Sequence, residues 1–172
     1  MRVILILTLS LISRVYAAPH PLTGSSIFNH PTNGLALTQL GFKLEAIPED
    51  WIYTKTLSSS GDLIEMGREQ KTLLSFRTEN VSLKTQLEAY VRQYLRDYNQ
   101  YGFEVTGLQS HAKSYVPSVI VDLKQKNKKT RSRQVFFYKQ DKVIIATCSD
   151  ESSEFDRTVA ICNQVLGTFR WR

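Results

Sequence analysis

The fold of this chain is decided by one stretch near its C-terminus, QVFFYKQDKVIIATCSDESSEFDRTVAICNQVLGTFRW (residues 134–171). Its first part predicts two strands, at 135–139 and 142–148, joined by a tight turn. The run 143–148 has no polar alternation apart from one threonine. Such a run is typical of a strand covered on both faces. The stretch therefore predicts an interior strand of a sheet with one helix on each side.

A helix follows these two strands. Ser153 and Asp156 have the spacing of a capping box, which places the start of the helix near residue 153. Because about four residues separate the strand from the helix, the helix must fold back over the strand that precedes it. The apolar stripe of this helix comprises Phe155, Val159, Cys162, Leu166 and Phe169.

The N-terminus has the features of a secretory leader. Arg2 supplies a positive charge, residues 3–12 form an apolar run, and small residues end at Ala17 as a signal peptidase requires. We expect cleavage after Ala17, with Ala18 as the alternative. About ten apolar residues are too few for a membrane span, which needs about twenty, so an uncleaved anchor is disfavoured. The predicted location is outside the cytoplasm, either periplasmic or secreted.

The two cysteines, Cys148 and Cys162, both lie in the C-terminal stretch. Two cysteines in an exported protein favour a disulfide, with two free buried thiols as the alternative. Closing a loop of about fifteen residues stabilises by roughly 3 kcal/mol in the chain-entropy model. Cys162 lies roughly 14 Å along the predicted helix, so the connecting loop must overshoot the sheet edge to bring the two Cα atoms together.

Length and composition predict one globular domain. Removing residues 1–17 leaves 155 residues and lowers the net charge from +6 to +4, because two arginines and no acid are lost. We predict a signal peptide at 1–17, a Pro-rich arm at 18–40 and a single domain at 41–172. The arm carries His20 and His30, whose separation fits no metal-ligand pattern. We predict no metal and no cofactor.

The clearest helical pattern follows Ser82, which we expect to be its cap, and ends at Gly102. Its apolar residues occupy an arc of roughly 140°, as expected of a helix packed on a sheet. Four of them are tyrosines, which can line a ligand groove or form a core face with hydroxyls at the rim, and the core is favoured. The residues of this stripe are Leu83, Leu87, Tyr90, Val91, Tyr94, Leu95, Tyr98 and Tyr101.

A basic segment, residues 124–133, holds six cations and no acid. Between two apolar strands it predicts a hairpin loop. Such a loop can bind anionic lipid or glycan, with roughly 1 kcal/mol for each cation near an anionic membrane, or it can be a solvated loop that protects a sheet edge. The lack of interleaved aromatics disfavours nucleic acid. The candidate anion-binding residues are Lys126, Lys128, Lys129, Arg131 and Arg133.

The order of these elements resembles the PsbP/DcrB-like family, a compact α/β/α sandwich. The resemblance covers residues 41–172 and implies an α+β fold with a mainly antiparallel sheet of about six strands and a helix on each face. It is carried by 42–48 leading into Trp51, by 74–76 before the long helix, by 134–138 paired with 143–148, and by 155–171 with its ending Thr168-Phe169-Arg170-Trp171.

The family includes photosystem accessory proteins, a nuclear-import factor and bacterial exported proteins of unknown role. The resemblance implies binding or assembly help without catalysis, so we expect an exported accessory protein with a macromolecular partner, in the simplest case another protein. One alternative is peripheral binding to anionic surfaces through the basic loop. The other is a hydrolase, which requires a base beside its nucleophile, whereas His111 stands alone in a polar strand segment.

Overall fold

The computed structural model describes residues 35–37, 40–58, 61–68, 71–96, 98–126 and 128–172. The predicted leader, and the part of the Pro-rich arm that carries His20 and His30, lie outside these residues.

Ten strands and two helices follow one another in the described part of the chain. They are β1 (Leu35–Leu37), β2 (Phe42–Leu44), β3 (Ile52–Ser58), β4 (Gly61–Arg68), β5 (Lys71–Asn80), α1 (Leu87–Arg96), β6 (Phe103–His111), β7 (Ser118–Gln125), β8 (Thr130–Lys139), β9 (Lys142–Glu151), α2 (Phe155–Gly167) and β10 (Phe169–Trp171).

The main sheet has seven strands in the order β3-β4-β5-β9-β8-β7-β6, and every neighbouring pair is antiparallel. This is one strand more than the sequence predicts. A second sheet has the order β1-β2-β10. Because β1 belongs to this sheet, regular structure begins inside the segment predicted as the N-terminal arm. The α+β sandwich itself is confirmed.

β9 lies at the centre of the main sheet, between β5 and β8. Its successive side chains point to opposite faces, as in any strand. Val143 and Ile145 belong to the core beneath α1, whereas Ile144, Ala146 and Cys148 belong to the core beneath α2. All five are buried. The predictions of an interior strand and of one helix on each face are therefore confirmed.

Aromatic rings join the small sheet to the core beneath α2. The ring of Phe169 stacks on that of Phe137 at 4.0 Å between centroids and on that of Phe42 at 5.0 Å. Phe42 in turn packs against Phe76 at 5.1 Å. Full burial of a side chain of this size contributes about 2 kcal/mol, so the chain end at β10 is held by packing as well as by strand pairing.

The structure joins Cys148 to Cys162, as the sequence predicts, with a Cα–Cα distance of 6.2 Å. α2 begins at Phe155, later than the capping pattern suggests, so Cys162 lies only about 10 Å along the helix axis. The predicted capping box is wrong, because the cap residue is Glu154 and no side chain caps the helix. Asp156 instead pairs with Arg131 at 2.9 Å.

A buried carboxylate, Asp150, connects the end of β9 to α2. It accepts hydrogen bonds from the Thr158 hydroxyl at 2.6 Å and the Glu151 amide at 2.7 Å, and it pairs with the Lys71 ammonium at 2.6 Å. Burial by itself would raise the pKa of Asp150, but these donors outweigh it and hold the pKa below its usual value. The ionised form therefore stabilises the fold.

The first long helix is shorter than its sequence pattern predicts. α1 spans Leu87–Arg96 and a 3-10 turn spans Tyr98–Tyr101. The Ser82 carbonyl accepts from the Thr85 amide in a turn that precedes the helix, so Ser82 is not its cap. Leu83 is 74% exposed in this turn and lies outside the buried stripe. As predicted, Gly102 ends the helical segment, with a φ of +80°.

Removing the disulfide should lower the free energy of unfolding by about 3 kcal/mol, because the unfolded chain regains the freedom of its closed loop. Urea unfolding of the Cys148→Ala/Cys162→Ala variant, compared with wild type with and without a reductant, measures this. A reductant should leave the free energy of unfolding of the variant unchanged. Equal stability of oxidised and reduced wild type would contradict the prediction.

Asp150→Asn should lower the free energy of unfolding by about 2 kcal/mol near neutral pH, because the buried side chain that accepts these hydrogen bonds loses its charge. Since the folded-state pKa of Asp150 is lowered, its contribution is present above the usual aspartate pKa of about 3.9 and is lost as the pH falls through the folded-state value. Urea unfolding at pH 7 and pH 3 should show the difference narrowing in acid. Asp141→Asn, at an exposed turn, is the control. If wild type and Asp150→Asn differ in free energy of unfolding by as much at pH 3 as at pH 7, the ionised Asp150 does not stabilise the fold as described.

Candidate functional site

The sheet face that carries α1 changes from apolar to polar along β9. Val143 and Ile145 are packed beneath the helix, but the next two residues on the same face are Thr147 and Ser149. Both are half-buried. The apolar half of this face is therefore the core, and the polar half is a surface that α1 does not fill.

β8 runs antiparallel to β9 and shows the same change from apolar to polar residues on this face, in the reverse order along the chain. Phe136 lies in the core beneath α1, and the residues that precede it on this face are polar. The register pairs Gln134 with Thr147 and Ser132 with Ser149, so polar residues meet across the two strands. We call this surface the polar floor and define it by Thr130, Ser132, Gln134, Thr147 and Ser149.

Aromatic side chains of α1 and the following turn form a wall above the polar floor. Tyr94 packs against Tyr90 at 6.2 Å and against Tyr98 at 5.1 Å between ring centroids. Tyr98 in turn contacts Phe103 of β6 at 5.3 Å. Tyr101 lies at the rim and is 69% exposed. These residues are the tyrosines of the predicted helix stripe together with one phenylalanine of the sheet edge.

Between this wall and the polar floor lies a groove of about 810 Å³. Small-molecule sites in proteins usually occupy 300–1,000 Å³ and combine apolar lining with a few polar groups. We call this space the tyrosine groove. It is present without any movement of the described residues.

A charged pair on β5 closes one side of the tyrosine groove. Arg77 lies 2.8 Å from Glu79, and its Nη2 also donates to the Tyr94 hydroxyl at 2.8 Å. The Tyr90 hydroxyl donates to Glu79. Arg77 and Glu79 therefore balance one another in charge while they hold two wall tyrosines in position.

Tyr90 and Tyr94 of the wall are neutral at physiological pH. Burial raises the pKa of Tyr90, and its bond to the Glu79 carboxylate raises it further. Burial also raises the pKa of Tyr94, together with its bond to Tyr98. Both hydroxyls consequently keep their protons and act as hydrogen-bonding groups.

One buried side chain that lines the tyrosine groove has an unpaired oxygen, which is itself fully buried. Gln134 is only 6% exposed, and its Nε2 donates to the Tyr98 hydroxyl at 3.2 Å. Its Oε1 accepts no hydrogen bond from the described residues. An unsatisfied buried acceptor costs roughly 1–3 kcal/mol, so proteins seldom retain one without a reason.

Tyr94 and Tyr98 also leave one proton available. The Tyr94 oxygen accepts from Arg77 and shares a 2.7 Å bond with Tyr98, whose oxygen accepts from Gln134. Each hydroxyl has one proton, and the single bond between the two rings uses only one of them. Tyr98 donates this bond, so the proton that the bond leaves unused is that of the Tyr94 hydroxyl.

The predicted anion-binding residues divide into two groups. Arg131 lies on β8, pairs with Asp156 and covers the ring of Phe155 at 4.6 Å. Arg133 pairs with Asp122 through two bonds of 2.8 and 2.9 Å. Both point to the α2 side of the sheet, away from the groove.

The other predicted cations lie in the hairpin that joins β7 to β8, so the predicted hairpin is confirmed. Its loop is shorter than residues 124–133, because β8 already begins at Thr130. Lys126, Lys128 and Lys129 are exposed there. Anion binding by this loop stays a prediction.

The remaining candidates do not gather into a reactive centre in the described part of the chain. His111 lies exposed at the end of the edge strand β6. Among the described residues, no group of three or more histidine, cysteine, aspartate or glutamate side chains could hold a metal ion.

The sequence contains two signals for the tyrosine groove. One is the tyrosine spacing, which indicated either a groove or a core face. The other is the alternation Thr130, Ser132, Gln134, Phe136, in which every second residue of β8 changes from polar to apolar. The charge run at 124–133 predicts a loop and so hides this pattern, because period-two alternation is meaningful only within a strand.

The element order, the antiparallel sheet and the helix on each face define a PsbP-like fold. Two solved structures share it. The solution structure of cyanobacterial PsbP (CyanoP) from Synechocystis sp. PCC 6803 has a TM-score of 0.65 at 12% identity and covers 88% of this chain and 99% of its own. The crystal structure of PA94, a protein of unknown function from Pseudomonas aeruginosa, has a TM-score of 0.52 at 15% identity, with 81% and 96% covered.

No protein-family model matches the chain, and no curated protein matches it. At 12% and 15% identity the two likenesses show the fold alone. The predicted resemblance is thus confirmed for the fold.

Gln134→Leu should leave the free energy of unfolding within about 1 kcal/mol of wild type or increase it, because the lost bond to Tyr98 is offset by removal of an unpaired buried oxygen. Urea unfolding measures the change, and Gln109→Leu on the exposed strand β6 is the matched control. A loss of 3 kcal/mol or more would mean that Gln134 is a structural residue whose Oε1 has a partner in the folded protein.

Proposed function

We propose that this chain is an exported, non-catalytic binding protein that holds its ligand in the tyrosine groove. The observation that carries this proposal is the preformed groove of about 810 Å³ between an aromatic wall and a floor of polar side chains. A concave site that combines apolar lining with a few polar groups is typical of ligand-binding sites in proteins.

Export is supported by the leader-like N-terminus and by the Cys148–Cys162 disulfide, since disulfides persist in oxidising compartments. In the described part of the chain, no helix has the length and apolar character to cross a bilayer. The processed chain would begin after Ala17 or Ala18.

A binding role is supported over a catalytic one by the chemistry of the groove. Nucleophilic catalysis needs a group that loses its proton readily, whereas the pKa of Tyr90 and that of Tyr94 are both raised. The carboxylate of Glu79 is engaged by Arg77 and by the Tyr90 hydroxyl. The hydroxyls of Tyr90 and Tyr94 therefore keep their protons, and the groups around them are arranged to hold a ligand.

A macromolecular partner remains compatible with this proposal. The groove has the size of a small molecule, or of one group projecting from a larger one. The accessory role implied by the family resemblance would then require that this group be presented by a protein or a polymer.

The basic loop is the weaker candidate. Arg131 and Arg133 are engaged by carboxylates, which leaves Lys126, Lys128 and Lys129 as exposed cations of the predicted set. At roughly 1 kcal/mol for each lysine near an anionic membrane, about 3 kcal/mol is available. A dissociation constant of 1 mM already requires about 4 kcal/mol, so the loop alone would bind only weakly.

Thermal unfolding tests the proposal. The protein is the processed chain purified from the exported fraction of an expressing bacterium, and its mass checks the cleavage site. Ligands in the low-molecular-mass fraction of a cell extract should raise Tm by about 2–4 °C for each kcal/mol of binding. Ser149→Phe, which fills the polar floor, should abolish the increase.

Two variants serve as controls. Ser153→Phe, at an exposed turn before α2, and Lys126→Gln/Lys128→Gln/Lys129→Gln should both keep the increase. An increase that persists in Ser149→Phe would place the ligand elsewhere. An increase lost only with the three lysines would support the loop and overturn the groove.

A further inference from the structure

We propose that the tyrosine groove binds an organic anion, in which an oxyanion group is held by Arg77 and Tyr94 and an apolar ring lies along the aromatic wall. The oxyanion is a carboxylate or a phosphate. This inference rests on the proposed function and adds the class of the ligand. It comes from the donors that the groove keeps without an acceptor, from the charge of its lining, and from the position of the basic loop.

Arg77 offers hydrogen-bond donors to the groove. Its Nη2 lies 2.8 Å from Glu79 and donates to the Tyr94 hydroxyl at 2.8 Å. A guanidinium has five N–H groups, and Nη2 carries two of them. The other three, on Nη1 and Nε, have no partner among the described residues, and 44% of the side chain is exposed. Arg77 is therefore held in place by two groups and keeps donors that a ligand can reach.

The Tyr94 hydroxyl adds a second donor beside Arg77. Its oxygen accepts from Arg77 at 2.8 Å and from Tyr98 at 2.7 Å, so the hydrogen-bonding group that remains is its own proton. Tyr94 is half-buried and lines the groove. The unused groups of both residues are therefore donors. A carboxylate or phosphate accepts at each oxygen and matches them, whereas an ammonium or amidinium group has only donors of its own.

The lining of the groove carries a net positive charge. Its charged side chains are two arginines, Arg77 and Arg96, and one glutamate, Glu79. Both oxygens of Glu79 are engaged, one by Arg77 and the other by the Tyr90 hydroxyl. An anion at the unused donors of Arg77 leaves these contacts in place. Hydrogen bonds with charged partners are about twice as strong as neutral ones, so the lining favours an anion over a neutral molecule of the same shape.

The basic loop lies at one end of the groove and extends its positive charge. Gln125 and Thr130 line the groove, and they directly flank loop residues 126–129. Glu151, which pairs with Thr130 across the two strands, brings one negative charge to this end. A cleft lined mainly by one sign of charge raises the local concentration of ions of the opposite sign. The exposed cations of this end are Lys126, Lys128 and Lys129.

The aromatic wall is the reason to expect an organic anion instead of a free inorganic one. The wall starts at Tyr94 itself, whose ring packs on that of Tyr98 at 5.1 Å, and Tyr98 continues to Phe103 at 5.3 Å. Aromatic rings attract one another in offset and edge-to-face arrangements. A ligand ring on this wall therefore places its oxyanion near the donors of Tyr94 and Arg77. An inorganic anion would use the donors alone.

Amide chemical-shift titration of the processed chain tests this inference. Naphthalene-2-carboxylate, its carboxamide and its carboxamidine share one ring and differ in charge. Naphthyl phosphate tests the other oxyanion, and acetate is a carboxylate without the ring. We expect at least one naphthyl anion to shift the amides of Arg77, Tyr94 and Gln134. It should bind about fivefold or more tightly than the carboxamide, with the carboxamidine and acetate weaker still. Added salt should weaken the anion more than the carboxamide.

Two substitutions test the donors. Arg77→Gln should bring the anion and the carboxamide within about twofold of each other, and Tyr94→Phe should weaken the anion several-fold. A merely structural loss would weaken both probes alike, so the ratio of their affinities is the readout. The matched controls are Arg92→Gln, exposed on α1, and Tyr115→Phe, and both should keep the wild-type ratio. If Arg77→Gln also shifts amides far from the groove, Tyr94→Phe carries the test. An unchanged ratio in both groove variants would overturn the inference.

The outcomes separate this inference from the proposed function. If the carboxamide or the carboxamidine binds in the groove as tightly as either naphthyl anion, the anionic class is overturned and the groove stays a binding site. The same holds if an extract raises Tm through the groove while the anions shift no groove amides, or only those of the loop 126–129. If neither extract nor probes act at the groove, both proposals fail.

Discussion

The burial of β9 on both faces is the constraint on which the rest of the structure depends. Its four residues 143–146 are apolar and buried, so two separate layers must cover the sheet at that point. α2 provides one layer and is fastened to β9 by the Cys148–Cys162 disulfide and by the bond between Asp150 and Thr158. α1 provides the other layer and is held by packing and by tyrosine hydrogen bonds. A sandwich built around one central strand follows directly.

The two layers cover β9 unequally, and this difference creates the groove. On the α2 face the strand stays buried through Cys148 and Asp150, where the disulfide and the carboxylate hold the helix. On the α1 face the apolar residues end at Ile145, and Thr147 and Ser149 follow. Hydroxyl groups need hydrogen-bond partners, so a closely packed apolar helix cannot cover them at low cost. The tyrosine rings of α1 and of the turn that follows it lie above this region, and a space remains between the rings and the strands.

The sequence predicts the sandwich, the central strand, the helix on each face and the disulfide. The spacing of hydrophobic residues and the positions of the cysteines can be read within short stretches of the chain. It predicts the ends of elements less well. The stripe from Leu83 to Tyr101 indicated one helix, but Leu83 belongs to a preceding turn and Tyr98–Tyr101 forms a 3-10 turn. The groove needs the pairing of β8 with β9, which sets Gln134 opposite Thr147, and such a long-range register is not visible in either strand alone. The charge run at 124–133 predicts a solvated loop, whereas Arg131 and Arg133 lie on β8 and pair with carboxylates of neighbouring elements.

The central claim is that the space between the tyrosine wall and the polar floor is an open, preformed binding groove. A high-resolution crystal structure of the processed chain tests this most directly. We predict that this space is open and that ordered water or a ligand occupies it. A groove filled by the protein's own residues 18–34 would contradict the account.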